Sequence, residues 1–376
     1  MKTGDMILKK TLCSLAVLGA FAAAGSAQAQ SSVTLYGIID AGFMTQNNSG
    51  TPSAGRTTGF VDGQLLPSIY GMKGSEDIGD GMKVGFNLEG GFNAGNGTHN
   101  SPGVYQSQIF GREAKVTLGG DWGTVGAGMQ VDPGIIASIA TEPRGLADSF
   151  SMLEYWIMAT VGNNQAGGGA LGGGIFDQNA LTYTYTHSGL YVGVEYGFGG
   201  IAGSTSANQT ESVGVSYSYA GFVVSGSYAK ANGLSTTNTT TSSQIGVFGL
   251  GYDFGNFAVR GQYGEFKSPN IIPGSDVKAW GVGFDWKTSI GNKINLSYYD
   301  AKDDGPLSGG KTTAIALMDI YALSKRTQLF AQFADIKADA NAGISAFIGG
   351  VGAYTAAGNS AGETTSYFGV GIQHSF

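Results

Sequence analysis

From Val33 onward the chain repeats one pattern: segments of about ten residues in which apolar and polar side chains alternate, joined by connections that are short and long in turn. In the stretch Lys293 to Tyr299, Ile294, Leu296 and Tyr298 fall on one face, and Lys293, Asn295 and Ser297 on the other. Met82, Val84, Phe86 and Leu88 alternate in the same way with Lys83, Gly85, Asn87 and Glu89, as do Val192, Val194, Tyr196 and Phe198 with Gly193 and Glu195. Successive side chains of a strand point to opposite faces, so each segment builds one oily face and one wet face. A soluble antiparallel sandwich alternates too, so the connections must decide.

Short connections fall at 119–123, 188–189, 221, 255–256, 291–292 and 324–326; long ones at 45–66, 93–103, 131–177, 199–210, 231–243, 267–277, 302–311 and 337–363. Tight turns on one rim and long loops on the other are the plan of an up-and-down transmembrane barrel. The segments between them predict sixteen strands, at 33–44, 67–74, 83–92, 104–118, 124–130, 178–187, 190–198, 211–220, 222–230, 244–254, 257–266, 278–290, 293–301, 312–323, 327–336 and 364–376. The number is even, as closure requires in this class, and a ring of that size leaves an aqueous lumen. The fold class is therefore all-β: a 16-stranded antiparallel transmembrane β-barrel. Composition agrees, with 65 glycines, 12 % charged residues and a mean hydropathy of +0.01. After residue 29 no apolar run approaches the ~20 residues of a membrane-spanning helix, whereas a barrel needs only every second residue to meet lipid.

The first 29 residues differ from the rest. Lys2, Lys9 and Lys10 precede an apolar run from Leu12 to Ala24, and Ala27-Gln28-Ala29 follows, the layout of an export signal cleaved after Ala29. The division expected is 1–29 signal peptide and 30–376 barrel. Cleavage removes the one cysteine, Cys13, and takes three of the 20 basic and one of the 27 acidic residues, leaving 17 against 26. A net charge of −9 argues against nucleic acid as a partner, and a chain without cysteine has no disulfide or thiolate metal site.

Four stretches resemble the general porins of β-proteobacteria: Ser32 to Gly42, Gly71 to Lys83 leading to Leu88-Glu89-Gly90-Gly91-Phe92, Tyr321 to Phe330, and Tyr367 to the terminal Phe376. The resemblance implies an outer-membrane homotrimer in contact with lipid and lipopolysaccharide, passing ions and small hydrophilic solutes. It implies that Phe376 is an assembly signal read by the barrel-assembly machinery. It also implies that the long third loop, 131–176, folds into the lumen and narrows it; a loop of this length is uncommon unless functional. That loop carries Asp132, Glu142, Asp148 and Glu154 against Arg144.

On the facing wall the family's usual arginines are missing. Ile69, Met129 and Phe176 stand where three of them are found, and only Arg112 matches. Arg112 shares parity with Ala114, Val116 and Leu118, so its face is open on parity alone, and Lys73 and Arg260 are the further wall candidates. A wall short of cations opposite a loop rich in carboxylates leads to the expectation that anion preference is weak or reversed.

Catalysis finds no support in the residues. His99, His187 and His374 have no spacing to a nucleophile and an orienting group, so no catalytic residue is assigned and the chain is not read as an enzyme. Gly167 to Gly172 matches a dinucleotide fingerprint formally, but in a glycine run that follows no clear strand. No cofactor is implied. No His, Cys or carboxylate set stands at metal spacing, and Ca²⁺ on loop carboxylates stays open. The alternative function is a barrel acting mainly in adhesion or surface recognition.

Overall fold

The computed structural model describes residues 32–47, 55–99, 108–145, 147, 149–151, 175–232, 242–268, 275–288, 291–304, 309–341 and 362–376; residues 1–29, expected to be an export signal, and Asp148 and Glu154 lie outside them. The strands are β1 (Ser32–Gln46), β2 (Thr57–Asp62), β3 (Ile69–Gly79), β4 (Met82–Gly91), β5 (Glu113–Gly120) and β6 (Gly123–Val131). After helix α1 (Pro133–Ile139) come β7 (Phe176–His187), β8 (Leu190–Gly197), β9 (Thr210–Tyr219), β10 (Phe222–Asn232), β11 (Ser242–Asp253) and β12 (Phe257–Ser268). The last five are β13 (Ser275–Lys287), β14 (Asn292–Asp303), β15 (Lys311–Ala322), β16 (Thr327–Ala338) and β17 (Thr364–Ser375).

All pairings are antiparallel between chain neighbours, and β1 closes the ring on β17 from Ile38↔Ser375 to Gln46↔Tyr367. On its other edge β1 pairs β3 from Ser32↔Ser75 to Ile38↔Ile69, then β2 from Ala41↔Asp62 to Gln46↔Thr57. β2 and β3 are thus two halves of one barrel strand, and the ring has sixteen. A closed ring pairs every strand edge, which is what lipid demands of backbone groups.

Two predicted strands need correction. The second, expected at 67–74, is longer and interrupted: residues 63–68 leave the ladder, and the Asp40 carboxylate collects the N–H groups of Gln64, Leu65 and Leu66 at 2.9–3.2 Å. The fourth, expected from 104, begins at Glu113, after a turn at 109–110.

The tight turns have a local cause. Asp80-Gly81, Ser188-Gly189 and Ala220-Gly221 each place two successive residues at positive φ, the geometry of the two-residue hairpin turn that matches strand twist. Leu35, Phe86, Val116, Tyr217, Phe248, Phe284, Leu317 and Val370 lie on the exposed apolar side of their strands. Near the tight turns, aromatic pairs such as Trp122–Tyr183, Tyr217–Tyr219 and Tyr252–Phe254 form the girdle expected at a membrane interface.

Candidate pore wall and third connection

The opposite parity on each strand faces inward, and there the ion-paired charges collect in two groups. The first spans β1, β3, β4 and the start of β5. Arg112 Nε meets Glu89 Oε1 at 2.7 Å, Lys115 Nζ meets Glu113 Oε1 at 2.7 Å, and Asn87 donates to Glu113. The Tyr36 hydroxyl lies 2.8 Å from both Glu89 Oε2 and Asn87 Oδ1, and Lys73 Nζ stands 5.1 Å from the centre of the Tyr36 ring. A groove of about 350 Å³ runs beside Thr34, Lys73, Ser75, Asn87, Lys115 and Thr117. The second group is Arg260 and Lys293 on Asp285, at 2.6 and 3.4 Å.

Each group therefore holds one more cation than anion: Lys73, Arg112 and Lys115 against Glu89 and Glu113, then Arg260 and Lys293 against Asp285. Lys115 was not among the residues singled out from sequence, and Lys293 was placed on the polar face of its strand but not among the wall candidates. The signal was available, since Lys115 alternates with Val116 and Leu118 as an inward residue must.

The third connection begins at Asp132, whose Oδ1 caps α1 by accepting from Gly134 and Ile135 N–H and also from the Ser212 hydroxyl of β9 at 2.7 Å. Burial lifts its carboxyl above the ordinary carboxylate range, against the pull of these donors. From there the chain touches one inward-facing strand after another. Ser138 and Thr141 meet Ser227 and Ser225 of β10, and Gln262 of β12 donates to Thr141. Asn295 of β14 donates to Pro143 O at 2.9 Å, Tyr299 to Glu142 Oε1 at 2.8 Å, and Arg144 Nη2 to Gln332 Oε1 of β16 at 3.1 Å. Ser149 N–H reaches Gln64 O, and Phe150 packs on Tyr367 of β17.

These contacts bear on the residues named from sequence. Asp132, Glu142 and Arg144 are 4, 0 and 2 % exposed: their charges are turned into the contact with the wall and are not presented to open solvent. Burial likewise lowers the Arg144 pKa from its usual value. Lys73, Arg112 and Arg260 all join the inward groups, Arg112 because it precedes the strand whose parity left it open. Its guanidinium lies 4.6 Å from the ring centre of Phe176. Met129 packs with Phe176 in a small apolar cluster, so an arginine there would be buried rather than placed on the wall. Phe376 pairs with Gly37 through both backbone hydrogen bonds, at 3.0 and 3.2 Å.

One grouping had no sequence signal at all. Asp132, Asp177 and Glu195, from three different elements, each offer a carboxylate oxygen within 4.8 Å of the others, and all are buried.

A family model described as Gram-negative porin matches residues 14–342. Outer membrane porin protein 32 of Delftia acidovorans is 30 % identical over 390 aligned residues, covering 98 % of this chain and all of that protein. An outer membrane porin of Bordetella pertussis is 34 % identical over 203 residues, spanning 51 % of this chain and 48 % of that one. Among solved structures, the anion-selective porin from Comamonas acidovorans superposes with a TM-score of 0.75 at 25 % identity, covering 92 % of this chain and all of that one. These likenesses favour a channel over the adhesion alternative. With a closed sixteen-stranded ring, an apolar outer band and a charged inner wall joined by these matches, the chain belongs to the Gram-negative porin family, as an outer-membrane channel for passive diffusion.

Proposed function

We propose that the third connection folds into the lumen and narrows it, and that ions and small hydrophilic solutes pass between it and the two charged groups of the wall with a weak preference for anions. The observation that carries this reading is the run of contacts from Asp132 to Phe150 along inward-facing side chains of β9, β10, β12, β14, β16 and β17. The sign of the preference departs from the one expected from sequence alone. Asp132 and Glu142 are buried with donors, which leaves the excess cation of each wall group as the charge nearest passing ions. The Comamonas relative named anion-selective points the same way.

Planar-bilayer reversal potentials in a dilute KCl gradient test the proposal. The unmodified pore favours chloride weakly, and Lys73→Gln with Lys293→Gln lowers the chloride-to-potassium ratio about threefold at 0.1 M, an effect that fades in molar salt as screening shortens. A pore that favours potassium before any substitution refutes it.

The remaining readings are proposals of the same kind: residues 1–29 as an export signal, 30–376 as the barrel in contact with lipid and lipopolysaccharide, Phe376 as a signal to the assembly machinery, and no enzymatic activity. Trimers are supported by a structural neighbour described in trimer form. The expected outcome is a heat-resistant trimer on unboiled gels; monomers in every gentle detergent would count against it.

A further inference from the structure

Where the third connection leaves β6, the structure gathers negative charge without a matching cation. Asp132, Asp177 and Glu195 are 4, 1 and 6 % exposed, and among the described residues none of them makes an ion pair. Apart from one another and Asp132, the carboxylate oxygens of Asp177 and Glu195 meet no hydrogen-bond partner among the described residues. A second observation is independent of the acids. Thr210, 3 % exposed on β9, has a hydroxyl oxygen with no partner, and it lines the same small cavity as Asp132 and Asp177. That cavity measures about 10 Å³, room for one water-sized occupant. Lys230 also lines it but stays outside ion-pair distance of the three carboxylates.

Buried carboxylates that lack donors are costly unless a cation or shared protons neutralise them. Convergence of three carboxylates favours a cation. Ca²⁺ holds oxygen at about 2.4 Å, so ligands up to about 4.8 Å apart can share one ion, and each of the three acids brings an oxygen inside that limit. Ca²⁺ also accepts carboxylates in one- or two-oxygen mode and irregular geometry, whereas Mg²⁺ demands an octahedron and keeps its waters. We propose that Asp132, Asp177 and Glu195, with the Thr210 hydroxyl, bind one Ca²⁺-class divalent cation that clips the start of the third connection to β7 and β8. The site joins the loop's first residue to two wall strands, so its occupancy fixes where the loop departs.

The full-length protein, purified in detergent and stripped with EDTA, is titrated with Ca²⁺ by calorimetry and with Tb³⁺ by luminescence. The expected result is one ion per chain with a Kd on the order of 10⁻⁴ M or tighter, weakened at least tenfold by Asp177→Asn with Glu195→Gln at unchanged β-sheet circular dichroism. If the double variant does not assemble, Asp177→Asn alone carries the comparison. Two results overturn the proposal: no saturable binding by the stripped protein at millimolar Ca²⁺, which leaves the acids sharing protons, or binding that both variants retain, which puts the ion elsewhere.

Discussion

Removing one hydroxyl should loosen the third connection without disturbing the barrel. Tyr299 is fully buried on the inward face of β14, and its hydroxyl donates to Glu142 Oε1 at 2.8 Å. Tyr299→Phe keeps the ring and its packing, so no cavity opens, but the carboxylate loses this donor. A hydrogen bond to a charged acceptor contributes roughly 1.5–3 kcal/mol. The neighbouring ties, Asn295 to Pro143 O and Arg144 to Gln332, are present in both proteins and cancel in the comparison. A loss of about 2 kcal/mol raises the population in which residues 142–145 swing away by about thirtyfold.

Arg144 makes that population measurable. Its bond to Gly145 is a tryptic site, and the side chain is only 2 % exposed, so cleavage requires the opening. When reclosing outpaces cleavage, the rate follows the open population. Cleavage at Arg144, quantified by mass spectrometry on folded protein, should therefore rise about thirtyfold in Tyr299→Phe. Thermal unfolding of the sheet stays put, because the strand ladders are untouched. Tyr263→Phe, on the lipid face, is the control that changes neither. A cleavage rate within twofold of the parent protein would refute the reasoning, and the loop would then be held by the contacts of α1.

Two further substitutions probe the same architecture. Gly283→Ala would drive a methyl into the Pro143 carbonyl, which lies directly over it, costing about 1–3 kcal/mol and lifting the loop; a lower unfolding temperature with altered single-channel conductance is expected, and parent-like values of both would count against the close approach. Deleting Phe376 removes the last rung between β17 and Gly37, and membrane fractions should then hold far less assembled barrel; normal outer-membrane amounts would contradict a role in closure or assembly.

The barrel was legible because its rules are local. Ser188-Gly189 and Ala220-Gly221 announce their turns, and alternation carries the count from one turn to the next, so β8 and β10 begin where expected. The exceptions have distant causes. Residues 63–68 leave the ladder through Asp40, more than twenty residues earlier, and no pattern inside Gly63 to Ser68 reveals that acceptor. The charges of the third connection also depend on distant partners. The resemblance and the order of the loops brought Asp132 and Glu142 forward as lumen carboxylates, and neither points to Ser212 and Tyr299, the donors that hold them buried against the wall. The grouping of Asp132, Asp177 and Glu195 depends on β6, β7 and β8 being neighbours, which only the closed sheet fixes.

Glycine shows how the two levels join. Pairing around a closed ring explains why a barrel tolerates so much of it, but not why particular inward positions carry it. Pro133 of α1 lies against Gly193 and Gly214, Thr141 against Gly249, and Pro143 against Gly283; the Gln64 side chain, from the interruption of the second barrel strand, lies against Gly369. At each of these a Cβ would collide with the segment above it. The missing side chains mark a track across β8, β9, β11, β13 and β17 on which a second layer of chain rests directly on the sheet. Strand propensity is given up at these positions, since glycine weakens a strand, and it is recovered in backbone-to-backbone approach and in the hydrogen bonds that such closeness permits. The same track ties the inner layer to strands whose ladders resist opening. A segment held this way can yield locally, at bonds such as Tyr299 to Glu142, long before the barrel that carries it.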